Sequence, residues 1–354
     1  MKLYSPDACR EADRRAIEEF AVPSRLLMEV AGRAAADVAE EVALGPSAVV
    51  LSGAGNNGGD GFVCARHLAS RGLDVVVLVF ADRSRFSEDT AANFSLLERW
   101  GIPAQFVSDE SDLLELSSNF GHYGVMVDAL LGTGFHGEPK GLIALAIALT
   151  QMTAAPVLSL DVPSGVDAAS GVVPGIAVQA DITVTFGLPK VGLFLHPGLQ
   201  YVGELRQACI GLPPEVKAGA RAEADLVTRE VAASILEEVL ECRRPDAHKG
   251  SLGTLLLVAG SRGMSGAAIL AARAALHLGA GLVKIAVPES IWQLVDSKVV
   301  EAITVPLPET ETGTLALASE ARLLEELRAA NAVAIGPGLR SEERRVGKEC
   351  RSRW

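Results

Sequence analysis

The chain has 354 residues, 49% of them hydrophobic, with 35 glycines and a net charge of −12. That length suits two domains. The acidic balance excludes the clustered Lys/Arg surface that non-specific nucleic-acid binding needs. Cysteines 9, 64, 209, 242 and 350 form no C-x-x-C pair, so no disulfide framework or zinc signature is present and a reducing, cytoplasmic setting is expected.

The N-terminus, Met1-Lys-Leu-Tyr-Ser-Pro-Asp7, lacks an apolar signal core. Residues 7–20 and 24–43 read as two helices, because Ile17, Leu27, Val30, Ala34 and Val38 recur at helical spacing. Pro23-Ser24 supplies the break and cap. A strand follows at Ala48–Leu51, then a glycine loop and a helix at Phe62–Arg71. Leu73–Phe80 is a continuous β-branched run, expected of a parallel strand buried on both faces. A helix at Thr90–Trp100 precedes strands at Ala104–Val107, Val125–Val127, Pro156–Leu160 and Ile182–Phe186. The uncharged run Gly141–Leu160 is broken by Gln151, two threonines and Pro156, so it reads as helix then strand, not as a membrane span. This alternation predicts a Rossmann-like, three-layer α/β domain around a parallel sheet.

The composition changes at Gly211-Leu-Pro-Pro-Glu-Val-Lys-Ala-Gly219, which places a linker at 213–225. Beyond it, strands at Leu255–Ala259, Leu282–Val287 and Ala332–Ile335 and a helix at Ala267–Leu278 open a second α/β domain over 226–340. The last stretch, Ser341–Trp354, packs eight charged residues into fourteen with little apolar periodicity. It reads as disordered or foreign to the domain.

The chemistry begins at Gly53-Ala-Gly-Asn-Asn-Gly-Gly-Asp-Gly61, five glycines in nine residues between strand and helix. Such a loop lets backbone approach a ligand and adopt positive φ, and a helix N-terminus behind it favours an anion. In an open parallel sheet, ligands bind beyond the carboxyl ends of the strands. Three further segments fall there: Asp128 with Leu131-Gly-Thr-Gly-Phe-His-Gly137, Asp161 with Val-Pro-Ser164, and Lys190 after Gly187-Leu-Pro. Each has a plainer reading. Asp60 could serve as an N-cap, Asp128 and Asp161 as turn residues, Lys190 as a surface lysine. His136, His196 and His248 form no metal-ligand pair. Asn57, Asp128 and Ser164 offer hard oxygens with one carboxylate, which fits a monovalent cation better than zinc. Asp161 and Lys190 form an acid/base pair.

These motifs, with Leu160-Asp-Val-Pro-Ser-Gly-Val-Asp167 and Thr185-Phe-Gly-Leu-Pro-Lys190, resemble the NAD(P)H-hydrate epimerase domain over residues 1–212. Leu27-Met-Glu-Val-Ala-Gly32 also resembles its N-terminal helix, with Val30 where the family carries Asn. The second part resembles the start of the ribokinase-like, ADP-dependent NAD(P)H-hydrate dehydratase domain. The letters that carry this are His248-Lys-Gly-Ser-Leu-Gly253, Gly260-Ser, Ser265-Gly-Ala-Ala-Ile-Leu-Ala271, Gly279-Ala-Gly-Leu282 and Gly336-Pro-Gly-Leu339. Arg340 departs from the family's glycine, and the later Pro-His-Pro-Gly-Glu, Lys-Gly and Gly-Ser-Gly-Asp segments do not follow. An incomplete ribokinase-like domain without dehydratase activity is therefore expected.

The resemblance implies epimerisation of the R and S forms of hydrated NADH or NADPH, with Asp161 and Lys190 catalytic. It implies substrate contacts from Asn56, Asn57, Gly58, Gly59, Asp60, Gly132, Thr133, Gly134, Phe135, His136, Gly137, Glu138 and Asp161. Potassium would sit at Asn57, Asp128 and Ser164. In the second domain Ala267 and Gly338 would touch substrate, with ADP and magnesium as cofactors of an intact domain. A homo-oligomer is expected, with neither membrane nor nucleic acid as partner. Two other classes stay open. One is a nicotinamide-dependent dehydrogenase with Asp82 on the ribose. The other is a non-catalytic module like the dimerisation domain of an mRNA-decapping scaffold.

Overall fold

The computed structural model describes residues 1–241 and 247–339 and divides the chain into two compact units, 1–228 and 229 onward. The charged stretch Ser341–Trp354 lies outside the described residues.

The first unit opens with β1 (Lys2–Leu3), α1 (Pro6–Glu18) and α2 (Ser24–Val42). There follow β2 (Ser47–Ser52), α3 (Asn56–Ser70), β3 (Asp74–Val79), α4 (Glu88–Trp100), β4 (Ala104–Phe106), α5 (Glu110–Ser117), β5 (Val125–Ala129), α6 (Gly141–Thr150) and β6 (Val157–Leu160). It closes with β7 (Ile182–Phe186), β8 (Glu204–Ala208), α7 (Pro214–Gly219) and β9 (Ala224–Asp225). Seven strands form one parallel sheet in the order β4-β3-β2-β5-β6-β7-β8. The chain reverses direction across the sheet between β2 and β5, the switch point where such folds open a crevice.

Side-chain alternation assigns the two faces. Val50, Val77, Val125 and Val127 pack with α1, α2, α3 and α4 through Ala12, Ala35, Phe62 and Phe94. Val49, Leu51, Leu78 and Met126 pack on the other side against Leu113 of α5 and Ile147 of α6. This is the three-layer arrangement expected, and α6 is an ordinary packing helix. Among the described residues no helix is long and apolar enough to cross a membrane.

Two departures matter. The segment expected as a linker, 213–225, is folded into the first unit: α7 buries Val216, and β9 pairs antiparallel with β1, Lys2 opposite Asp225. The end of this segment thus closes onto the N-terminus. Strand β8, Glu-Leu-Arg-Gln-Ala, escaped the sequence reading because Glu204, Arg206 and Gln207 of this edge strand leave no apolar run.

The second unit contains α8 (Arg229–Glu241), β10 (Thr254–Val258), α9 (Ser265–Leu278), β11 (Leu282–Pro288), α10 (Trp292–Asp296), β12 (Ile303–Leu307), α11 (Glu320–Ala329) and β13 (Ala332–Ile335). Its four strands are parallel in the order β12-β11-β10-β13. Strand β12 was also missed, because Pro306 interrupts Ile-Thr-Val-Pro-Leu. A proline is tolerated there on an edge.

Candidate functional site

The glycine stretch is mostly not a loop. Helix α3 begins at Asn56 with Gly55 as N-cap, so Asn56, Asn57, Gly58, Gly59 and Asp60 are its first turns. Asp60 is therefore not the cap. None of Gly53, Gly55, Gly58, Gly59 and Gly61 has positive φ; space explains these glycines instead. A Cβ on Gly53 would lie 2.0 Å from Leu130 O, on Gly58 2.1 Å from Gly53 O, and on Gly59 2.7 Å from Met28 Cε. Gly55 alone faces open space. Ser87, the N-cap of α4, donates from Oγ to Asn56 Oδ1 at 2.8 Å, and Thr90 Oγ1 donates to Gly55 O at 3.2 Å. Two helix N-termini thus meet at one point.

Beyond the strand ends lies a cavity of about 620 Å³, within the usual range for small-molecule sites. Asn56, Asn57 and Asp60 line it from α3. Gly132, Thr133, Gly134 and Phe135 line it from the segment after β5, and Asp161 and Lys190 from the ends of β6 and β7. Gly58, Gly59, His136, Gly137 and Glu138 are not part of its wall. His136 pairs through Nδ1 with Asp167 Oδ2 at 2.9 Å, and Glu138 abuts Gly175.

Asp161 takes φ +64°, one of two non-glycine residues in that region among the described residues. Such a backbone costs roughly 1–3 kcal/mol and clusters at functional sites. The turn aims the carboxylate at Lys190, whose ammonium, 3% exposed, is ion-paired with Asp161 Oδ1 and donates to Phe186 O at 2.8 Å. Phe186 N–H donates to the same oxygen at 3.0 Å and Thr185 Oγ1 at 3.3 Å. Among the described residues no group donates to Oδ2. Lys190 is thus no surface lysine.

Asp128 lies inside β5, fully buried. Its Oδ1 accepts from Ser164 Oγ at 2.5 Å and Leu130 N at 3.3 Å, its Oδ2 from Ser159 Oγ at 2.8 Å and Ser164 N at 2.9 Å. Burial pushes its carboxyl up, against the pull of those donors. Ser164 Oγ accepts from Leu131 N at 2.9 Å, and Asn57 Nδ2 donates to Leu131 O at 2.7 Å. So Asn57 and Ser164 meet at Leu131, and Asp128 is tied to it through Ser164 and the neighbouring Leu130 N. Asn57 Oδ1 is buried without a hydrogen-bond partner, which an isolated polar group tolerates poorly.

One group went unnoticed in the sequence. Asp13 of α1 lines the cavity wall. Burial raises its carboxyl to about 6, with Lys190 lowering it and Asp161 raising it. The signal was available: 9, 12, 13 and 16 share one helix face, and Cys9, Ala12 and Ala16 are buried, so an acid stands in an apolar stripe. Asp60 is pushed well above the carboxylate range, first by burial and then by Asp161.

Residues 24–192 match the family described as YjeF-related protein N-terminus, and residues 255–349 match the NAD(P)H-hydrate dehydratase family. The chain is 37% identical over 351 residues to the bifunctional NAD(P)H-hydrate repair enzyme of Thermofilum pendens, covering 99% of this chain and 65% of that protein. The two units of the chain thus match two families, and the chain as a whole resembles these bifunctional repair enzymes. The Moorella thermoacetica member is also 37% identical, over 96% of this chain and 64% of its own length. This chain therefore spans about 65% of the length of these family members. A yeast crystal structure, 24% identical with TM-score 0.52, covers 64% of this chain and 98% of its own, and shares the fold.

The family match corrects two expectations. The dehydratase match runs to residue 349, so the charged stretch is not excluded from the domain, and loss of the second activity has no support. Nor are the other classes favoured. Asp82 accepts from Ser84 N at 2.8 Å as a local cap and is not on the cavity wall. In the second unit, Ala267 and Gly338 do come together: a Cβ on Gly338, φ +81°, would lie 2.9 Å from Ala267 Cβ.

Proposed function

We propose that the first unit interconverts the R and S forms of hydrated NADH and NADPH. The observation that carries this reading is the Asp161–Lys190 pair, fixed by a left-handed backbone at the rim of a cavity walled by two helix N-termini. The substrate carbon, C6 of the nicotinamide ring, bears a hydroxyl beside the ring nitrogen. Loss of that hydroxyl as water gives an iminium, and water added to the other face inverts the centre. Asp161 exchanges the proton of the oxygen that leaves or returns. Lys190 holds one Asp161 oxygen and leaves the other free for this work. The α3 and α4 termini take the pyrophosphate, where free amides and helix dipoles favour an anion.

The donor set around Leu131 fits potassium. Asn57 Oδ1 has no protein partner, Ser164 Oγ and Leu131 O are neutral oxygens, and Asp128 balances the charge. Asn57, Leu131, Ser164 and Asp128 would hold an alkali ion, which would supply a fixed positive charge there. Potassium, tested against sodium, raises the melting temperature of the wild type and not of Asn57→Ala. Among the described residues no three His, Cys, Asp or Glu side chains cluster as a metal site. The family match of the second unit supports ADP-dependent dehydration of the S form there, read as ADP-dependent recovery of NADH from the S hydrate.

The decisive experiment follows purified R hydrate converting to S. An Asp161→Ala protein that retains the full rate removes the assignment.

A further inference from the structure

Inverting a centre through a planar iminium requires proton exchange with oxygen on both faces of the ring. Asp161 and Lys190 stand together at the strand ends, so their pair serves one wall of the cavity. Helix α1 forms another. It is docked on the very segment that carries Lys190: Tyr4 N donates to Pro189 O at 2.9 Å, Val191 N to Tyr4 O at 2.8 Å, and Cys9 Sγ to Leu188 O at 3.6 Å.

The charges on α1 are sorted. Arg10 pairs with Asp7, Arg14 with Glu11 and Glu18, and Arg15 with Glu19, all on the solvent side. Asp13 is in no ion pair and accepts no side-chain hydrogen bond among the described residues, although Arg14 and Arg15 adjoin it in sequence. Its position on the buried stripe turns it into the cavity instead. Asp13 itself is half-buried, and an unpaired carboxyl on an otherwise buried helix face is costly.

We propose that Asp13 is a second acid–base residue of this cavity, exchanging the proton of the C6 oxygen on the face of the nicotinamide ring turned away from Asp161. This rests on the epimerase reading above. In one direction the Asp13 carboxyl gives its proton to the C6 hydroxyl. The C6–O bond breaks, its electron pair leaves with water, and the lone pair of the ring nitrogen forms the C=N bond. Water then adds to the opposite face. Its oxygen bonds to C6, the C=N pair returns to nitrogen, and its proton passes to the Asp161 carboxylate. The reverse direction exchanges the two roles, and solvent resets the protons. The groups facing Asp13 suit this. Lys190 and Asp161 lie on the strand-end wall, Asp60 on α3, and Cys9 and Arg10 on its own helix. Burial, with Lys190 lowering it and Asp161 raising it, holds Asp13 near 6, close enough to neutrality to give and take a proton.

The test uses the full chain, purified R and S hydrates, and water enriched in oxygen-18. Asp13→Asn should lower interconversion about 100-fold or more, with KM changed less than about threefold. It should still take oxygen-18 into one epimer, the one whose hydroxyl faces Asp161. Asp161→Asn should retain uptake into the other. Asp13→Glu should recover most of the lost rate. A merely structural role would not produce epimer-selective exchange. Interconversion by Asp13→Asn within about threefold of wild type would overturn the proposal, as would equal loss of exchange into both epimers. If the wild type does not interconvert the hydrates at all, the epimerase reading fails instead, before any Asp13 variant is compared.

Discussion

The two units are built from the same alternation of parallel strand and helix, yet they bury it differently. In the first, the central strands β2, β5 and β6 are buried along nearly their whole length. In the second, β13 leaves Val333 41% and Ile335 61% exposed, and Leu270 and Leu278 of α9 are 69% and 71% exposed. Among the described residues, no strand pairs with the outer edge of β13. The difference teaches that apolar sequence alone does not make a core. A strand becomes central only when neighbours on both edges and helices on both faces remove it from water. The first unit, with that burial, can hold an unusual backbone at Asp161 and a lysine 3% exposed.

The comparison can be broken by substitution. The largest effect is on chemistry. Asp161→Asn should slow R/S interconversion by roughly 10²–10⁴-fold, while the thermal unfolding of the second unit stays unchanged in calorimetry. Next is packing. Leu68, fully buried in α3, should cost roughly 2–5 kcal/mol on change to Ala. Leu270→Ala, on the exposed side of α9, should stay within about 0.5 kcal/mol. Denaturant melts of both would collapse the distinction if the two costs were equal.

Glycines sharpen it further, with opposite signs expected. Gly58→Ala drives a Cβ to 2.1 Å from Gly53 O and should destabilise by roughly 1–3 kcal/mol. Gly266→Ala, in α9 with nothing within 4 Å, should stabilise by roughly 0.4–1 kcal/mol. Melting temperatures would decide.

The smallest effect is a pH dependence. Asp13 is raised in the folded chain from 3.8 to about 6, so the folded state binds its proton more tightly than the unfolded state does. That contribution is complete below pH 3.8 and is lost as pH rises through about 6. Asp13→Asn should therefore melt above the wild type at pH 8, the gap narrowing toward pH 4. A constant gap would place Asp13 in an ordinary solvated environment.

The sequence by itself determined the strand–helix rhythm, because apolar runs such as Leu73–Phe80 and glycine-bounded turns are local signals. It also marked the strand ends carrying Asp128, Asp161 and Lys190, since a parallel sheet must present those ends along one edge. It could not show that the glycines after β2 are a helix turn crowded by Leu130 and Met28, because crowding depends on which segments pack there. Nor could it show that Asn57 and Ser164 converge on Leu131 with Asp128 held by Ser164, or that α1 brings Asp13 to the cavity that Lys190 lines. Those groups are as much as 177 residues apart in the chain, and only the closed sheet with its docked helices brings them to one cavity. The physical reason is that secondary structure follows from neighbouring residues, whereas ionisation, hydrogen-bond satisfaction and reach are set by whatever the tertiary fold places within a few ångströms.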